Sequence, residues 1–291
     1  LEAAKDEPAW RALLVAAAEG DASGPEAFAL VVNDLAKPAF MQAPVPEGSL
    51  APLKNEHERP SSELEVLITS KNHDVKINRL AQPSVEHWVF ALVTLQTMQG
   101  FLGAGNYGIA RMNGGFASRP CVSFAPETRA SARFVRDVGL LLEAREELLA
   151  RGFAGKGGLG LVWCAAWDGS SSLSLAKLDP FFIEICRRVR LVAPAGKLVA
   201  HRGSSKVARI DGSQLTGNTG DAWTPVSRKD GKALTVSESG FTYERVQDLM
   251  FGDWAPPVAA DPDKGAGRYW VGQVLVRGQG KTGGYHERWV P

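Results

Sequence analysis

The hydrophobic and polar positions change period several times along the chain, and each change predicts an element. From Ser84 to Gln99, Trp88, Leu92, Leu95 and Met98 recur at helical spacing, which predicts a helix capped by Ser84 and ended by Gly100. Thr128 to Ala150 predicts a second long helix with Arg129, Arg133 and Arg136 on one face. Ala3 to Glu19 predicts a third, stopped by Gly20. Asp179-Pro180 has the form of a helix start, aspartate as cap and proline in the first turn, and predicts a helix to about Arg190 whose last arginines suit the dipole. Strands are expected at Leu64–Thr69, Leu159–Trp167, Lys197–His201, Ala233–Val236 and Arg268–Val276, the last alternating Tyr269, Val271, Gln273 and Leu275. Pro38 to Pro60 reads as an extended excursion, and Gly103 to Ser118 as a glycine- and asparagine-rich loop. Helices and strands interleave irregularly. The expected fold class is α+β, a mixed globular domain of helices and mostly antiparallel strands.

Composition adds bounds. With 44% hydrophobic and 22% charged residues in 291, the chain can bury a sizeable core in one or two domains. There is no apolar run of membrane-spanning length and no signal peptide pattern. Cys121, Cys164 and Cys186 lack zinc spacing and read as buried thiols of a reducing, cytoplasmic protein, with no metal or other cofactor expected. A chain that opens at Leu1 and stops at Pro291, just after a strand-like stretch, is expected to be a fragment trimmed at both ends.

Net charge is only +1, but the distribution is uneven. Arg187 to Arg209 holds seven basic residues and no acid, and Gly103 to Arg136 holds five arginines against Glu127. Two readings stay open: a polyanion-binding face, or a solvated surface whose charge is offset by acids from elsewhere in the fold.

Most catalytic patterns fail on context. Gly103-Ala104-Gly105-Asn106-Tyr107-Gly108 fits the dinucleotide fingerprint, but a helix precedes it, the chain continues as loop to Pro120, and no acidic residue sits about 20 residues on in an expected strand. Gly280-Lys281-Thr282 resembles the end of a P-loop, yet the first glycine would fall on Leu275. His73-Asp74 within Lys71–Lys76 has the chemistry of a metal nuclease, but no second acidic motif stands out; the favoured reading is a polar loop whose Asn72 and Asp74 satisfy backbone amides.

Several stretches together resemble the CasA family, the large subunit of type I-E CRISPR Cascade surveillance complexes. They are Pro38-Ala39-Phe40-Met41-Gln42, the polar segment Lys71 to Gln82, the helix Glu86 to Gln99, the loop Gly103 to Pro120, Gly217 to Pro225, and Gly278 to Arg288, in colinear order over most of the chain. The resemblance implies a non-catalytic protein of antiviral defense and an N-terminal globular domain covering residues 1–291. On this resemblance the family's first strands and its C-terminal four-helix bundle are expected to fall outside residues 1–291. It implies guide RNA, target double-stranded DNA, other Cascade subunits and a helicase-nuclease as partners, and no membrane. The family recognises the duplex motif flanking the target (the PAM) and then opens the DNA. Its PAM-sensing glycine loop falls on Asn113, Gly114, Gly115 and Phe116, where a backbone without side chains approaches a narrow groove; the alternative for the glycine pair is a tight turn. Its guide-contacting loop falls on Lys71 to Arg79, with Lys76, Asn78 and Arg79 available for phosphates. Its glutamine wedge falls near Gln279, with Lys281 or Thr282 as the alternatives, and Lys206 and Arg209 are the candidates for its lysine finger. Two rival readings remain: a nucleotide- or phosphate-binding enzyme built on the Gly103–Gly108 loop, which a strand before Gly103 would favour, and an interaction protein whose basic segments meet an acidic partner.

Overall fold

The pivot of the larger core is a helix entered through a capping box. The Ser84 N–H donates to His87 Nδ1 at 3.0 Å, which ties down the first turn of Val85–Thr97. Trp88, Leu92 and Leu95 then point inward, with Met98 half-buried at the end. The computed structural model describes residues 6–20, 24–53, 83–114, 118–264, 267–278 and 281–291. Over these residues the fold is α+β, with four α-helices and nine strands. The helices are α1 (Glu7–Gly20), α2 (Val85–Thr97), α3 (Ala130–Leu149) and α4 (Tyr243–Phe251). The strands are β1 (Cys121–Ala125), β2 (Leu159–Leu161), β3 (Leu178–Ile183), β4 (Arg188–Val192), β5 (Val199–Gly203), β6 (Val226–Ser227), β7 (Trp254–Ala255), β8 (Tyr269–Gly278) and β9 (Lys281–Val290).

The strands form small sheets, antiparallel except for the β2–β3 pair. Antiparallel β1–β8–β9 is the largest; β8 runs Trp270↔Val290 out to Gly278↔Lys281 against β9. One core gathers α2 with Trp163, Leu178, Ile185, Val189 and Leu191. A second lies under the three-stranded sheet, where Val122, Trp270, Val274 and Val276 meet Leu234, Val236, Phe241 and Val246. Two buried glutamines stitch the first core. Gln96 Oε1 accepts from the Cys186 and Arg187 amides at 2.9 and 2.8 Å, and its Nε2 donates to the Met41 carbonyl at 2.9 Å. Gln42 Oε1 accepts from the Leu191 amide at 2.6 Å while its Nε2 donates to the Leu30 carbonyl at 2.8 Å. The 38–42 motif is thereby explained as a structural clasp on β4, since a buried amide must find partners for both ends.

The expected helix from Asp179 to Arg190 is instead two strands, β3 and β4. The Asp179 carboxylate does accept from the Phe181 amide at 2.8 Å, but it also holds Arg145 at 2.6 Å, and burial then alternates along β3. The same aspartate–proline chemistry that starts a helix starts a turn. The strand expected over Leu159–Trp167 shortens to β2 and continues as a 3-10 turn at Val162–Cys164. The expected strand at Ala233–Val236 makes only a single bridge, Val226↔Ala233. Its amides go to three places: Ala233 to Thr216, Leu234 to Pro225 and Val236 to Ser118. Cys121 and Cys164 are half-buried and only Cys186 is fully buried. The Leu64–Thr69 expectation lies outside the described residues. Among the described residues no helix is long and apolar enough to cross a membrane.

Candidate nucleic-acid interface

The glycine loop leaves α2 at Gln99 and doubles back, the Ile109 amide donating to the Gln99 carbonyl at 3.0 Å. Its glycines serve close backbone approach. A Cβ on Gly108 would sit 2.6 Å from the Gly100 carbonyl carbon, and one on Gly105 would sit 2.8 Å from Ser204 Cβ. The element before Gly103 is helix α2, and the chain stays irregular from there to Gly114, so the strand–turn–helix of a dinucleotide site is not formed.

A buried ion network holds the loop in place. Glu184, just after β3, accepts from the Ala110 amide at 2.6 Å and pairs with Arg111 at 3.4 Å. Arg111 also reaches Asp221 at 3.5 Å and lies over the Phe182 ring at 3.6 Å, and Arg119 grips Asp221 at 2.6 Å. Burial pulls Arg111 down against the pull of Asp221 and Glu184. Burial pushes Glu184 up and outweighs Arg111. Burial also opposes ionisation of Asp221, but Arg119 and Arg111 together hold its carboxyl below the usual range. Arg111 and Arg119 are thus anchors of the loop. Sequence reading missed this network, because its members are spread from position 111 to 221 with no shared motif.

Beyond that anchor the chain turns outward. Gly114 is exposed at φ 59°, and a Cβ there would meet nothing within 4 Å. Asn113 Nδ2 donates to the Ala233 carbonyl at 3.1 Å, which fixes the turn's inner side. Gly217 fits beneath, where a Cβ would come 2.8 Å from the Asn113 nitrogen. Asn113 and Gly114 rim a cavity of about 230 Å³ shared with Tyr107, Ala208, Ile210 and Thr216. The Tyr107 hydroxyl donates to the Lys206 carbonyl at 2.9 Å, so exposed Lys206 stands at the same loop. Gly115 and Phe116 lie outside the described residues.

The segment 233–240 joins this turn to the β8–β9 hairpin. Ser118 Oγ donates to the Val236 carbonyl and accepts its amide, both at 2.9 Å. Two residues on, Glu238 is the neighbour a Cβ on Gly283 of β9 would meet at 2.9 Å, and Gly240 packs on His286. Val236 and Glu238 are at most about 7 Å apart along the chain. The base of the glycine loop and the body of the hairpin therefore rest on one short segment. The hairpin carries Lys281 and Thr282 at the start of β9; Gln279 lies outside the described residues, as do Lys76, Asn78, Arg79 and the His73-Asp74 pair.

The basic stretch 187–209 divides: Lys197 and Lys206 are exposed and Arg202 is half-buried, but the other arginines face inward. Arg187, Arg188, Arg190 and Arg209 are buried. Arg190 donates to the carbonyls of Lys37, Val32 and Asp34 at 2.8, 2.9 and 3.1 Å. Arg209 donates to those of Ala165, Ala166 and Val162 at 2.8, 3.3 and 3.4 Å and lies 5.3 Å over the Trp167 ring. Burial lowers both to about 10, so both stay charged at neutral pH. Of the two lysine-finger candidates, Lys206 is outside and Arg209 inside. Charge counting cannot separate an arginine that meets phosphate from one that meets carbonyl dipoles, because both need the same planar donors. Among the described residues no cluster of three or more His, Cys, Asp or Glu is placed to hold a metal ion.

No family model matches the chain, and no curated protein matches it.

Proposed function

We propose that the chain is the PAM-reading large subunit of an RNA-guided antiviral DNA surveillance complex of the CasA kind, acting without catalysis in the cytoplasm. The observation that carries this reading is the common seat of the Asn113–Gly114 turn and the β8–β9 hairpin on residues 233–240. A reader of the flanking duplex and a wedge that parts its strands must keep a fixed separation, and one shared segment provides it. The open space around Gly114 suits approach to a minor groove, where any side chain would hold the backbone off. Lys206, exposed beside the same loop, supplies a phosphate contact. Guide RNA, other subunits and the helicase-nuclease are the partners this role requires, with Lys76, Asn78 and Arg79 as the proposed guide contacts.

The test is the rate of guide–target hybrid formation in the reconstituted complex, on duplexes with correct and wrong flanks. Gly114→Leu removes flank preference, while hybrid formation on pre-opened DNA survives. Gly114→Asn is the folding control, because asparagine tolerates the left-handed backbone of this position but still places a side chain toward the groove. Full flank discrimination in both variants would reduce the loop to a turn and remove the basis of the reading.

A further inference from the structure

The outward face of the hairpin carries chemistry that neither flank reading nor strand parting uses. The register Val271↔Trp289, Gln273↔Glu287, Leu275↔Tyr285 places these six residues on one face. The opposite face sends Trp270, Val274 and Val276 into the second core. At Val271 the outward face is closed over, and Arg133 of α3 reaches across to Gln273 Oε1 at 2.8 Å. Further along the hairpin it opens: Tyr285 is 58% exposed, and Glu287 is exposed. Trp289, opposite Val271 at the more covered end, is half-buried and lies edge-on to Tyr269, ring centres 5.9 Å apart, so Tyr285 is the more open of the two rings.

The ring edges are tied down by neighbours on the same face. Gln273 Nε2 donates to the Tyr285 oxygen at 3.0 Å and to Glu287 at 3.3 Å, and the Tyr285 hydroxyl and Trp289 Nε1 both donate to Glu287. A network that fixes the rings by their edges makes them rigid and spends the hydrogen-bonding groups internally. What remains is aromatic surface, which every base can stack on and which reads no sequence. Tyr285 and Trp289 are four residues apart, about 13 Å along a strand. Successive bases of a stacked strand advance about 3.4 Å and cover one another's faces, so a duplex cannot seat bases on both rings, whereas an unstacked strand can bring two non-adjacent bases to them. The charges nearby are mixed, Arg133, Arg129 and Arg268 against Glu287 and Glu127, so attraction of phosphate is not the main term.

We infer that this face is a stacking platform for single-stranded DNA, taking the strand that is displaced when the duplex opens. The inference rests on the proposed function for the origin of that strand, and on the structure for the binding chemistry. The experiment titrates the full chain with a labelled thymidine oligonucleotide, its abasic counterpart of equal length, and a blunt duplex, by fluorescence anisotropy. The thymidine strand binds more tightly than the other two. Tyr285→Leu weakens it by roughly 5- to 150-fold, Trp289→Leu does likewise, and Tyr285→Phe keeps most of the affinity, because the ring remains. Affinity falls less steeply with salt than expected of a binder held by several phosphate contacts. No binding by the parent chain, equal binding of abasic and thymidine strands, or an unchanged affinity in Tyr285→Leu would each overturn the inference. A chain that stacks thymidine but shows no flank preference in the complex keeps the platform and loses the proposed function. One that reads the flank but fails here does the reverse.

Discussion

Replacing Arg209 by methionine separates two meanings of a basic stretch. Arg209 is 3% exposed, and its guanidinium donates to three carbonyls, of which the 2.8 Å bond to Ala165 is the shortest. A hydrogen bond from a charged donor contributes about 1.5–3 kcal/mol, and stranded buried carbonyls add to the loss. The contact with Trp167 contributes about 0.5–1 kcal/mol more. Against these stands the relief of a buried charge, the same desolvation that lowers Arg209 to about 10. Methionine keeps most of the volume, so little cavity forms. The balance is a loss of about 3 kcal/mol. With an unfolding entropy of about 2.1 cal/mol/K per residue, that lowers the Tm of a 291-residue chain by about 5 °C. Two measurements are made on the same variant: thermal unfolding, and the salt dependence of DNA binding in the complex. The melting temperature falls while the slope of log affinity against log salt stays at the parent value. Lys206→Met shows the opposite pattern, with an unchanged Tm and a slope shallower by about 0.9, the value of one phosphate contact. An Arg209→Met variant that melts like the parent and loses about 0.9 of slope would mean that Arg209 meets phosphate, and the argument from burial would fail.

Two further outcomes follow from the loop anchor and the hairpin. Burial raises Glu184 above the usual 4.5, so the folded state binds the proton more tightly and this group's contribution, present at low pH, is lost as pH rises through its folded value; the stability of Glu184→Gln relative to the parent therefore improves as pH rises above 4.5 in urea titrations, and a relative decline would show that Arg111 outweighs burial. On the proposed function, alanine at one of Gln279, Lys281 and Thr282 slows opening of intact duplex by removing help with the first step, about 1–2 kcal/mol of stacking, and a mismatch bubble restores the rate; parent rates in all three on intact duplex would remove the wedge assignment from this hairpin.

The elements legible in the sequence were those whose signals are local. Helix α2 needed only Ser84 and the spacing of Trp88, Leu92 and Leu95, and it formed at Val85–Thr97. Strand β8 was readable from its alternation, and that alternation also carries the aromatic face, although the partner rings Tyr285 and Trp289 became neighbours of Gln273 and Tyr269 only through pairing with β9. The glycine loop was readable as a loop, but its use was not. Apart from the local approach of Gly108 to Gly100, what the loop meets, Ser204 at Gly105 and Gly217 at Asn113, is set by chain returning from about a hundred residues away. The helix expected at 179–190 shows the limit most clearly. Its cap chemistry was real, since Asp179 does accept from Phe181, but local hydrogen bonding at Asp-Pro serves a turn as well as a helix. The choice fell to tertiary terms: three arginines, Arg187, Arg188 and Arg190, find carbonyl partners on Gly100, Ser204 and residues 32–37 only if the segment is extended beside β5. The sequence determined that these groups are basic and must be satisfied. Only the folded chain decided that backbone carbonyls, and not an external polyanion, would satisfy them, because burial depends on which distant segments close over the strand.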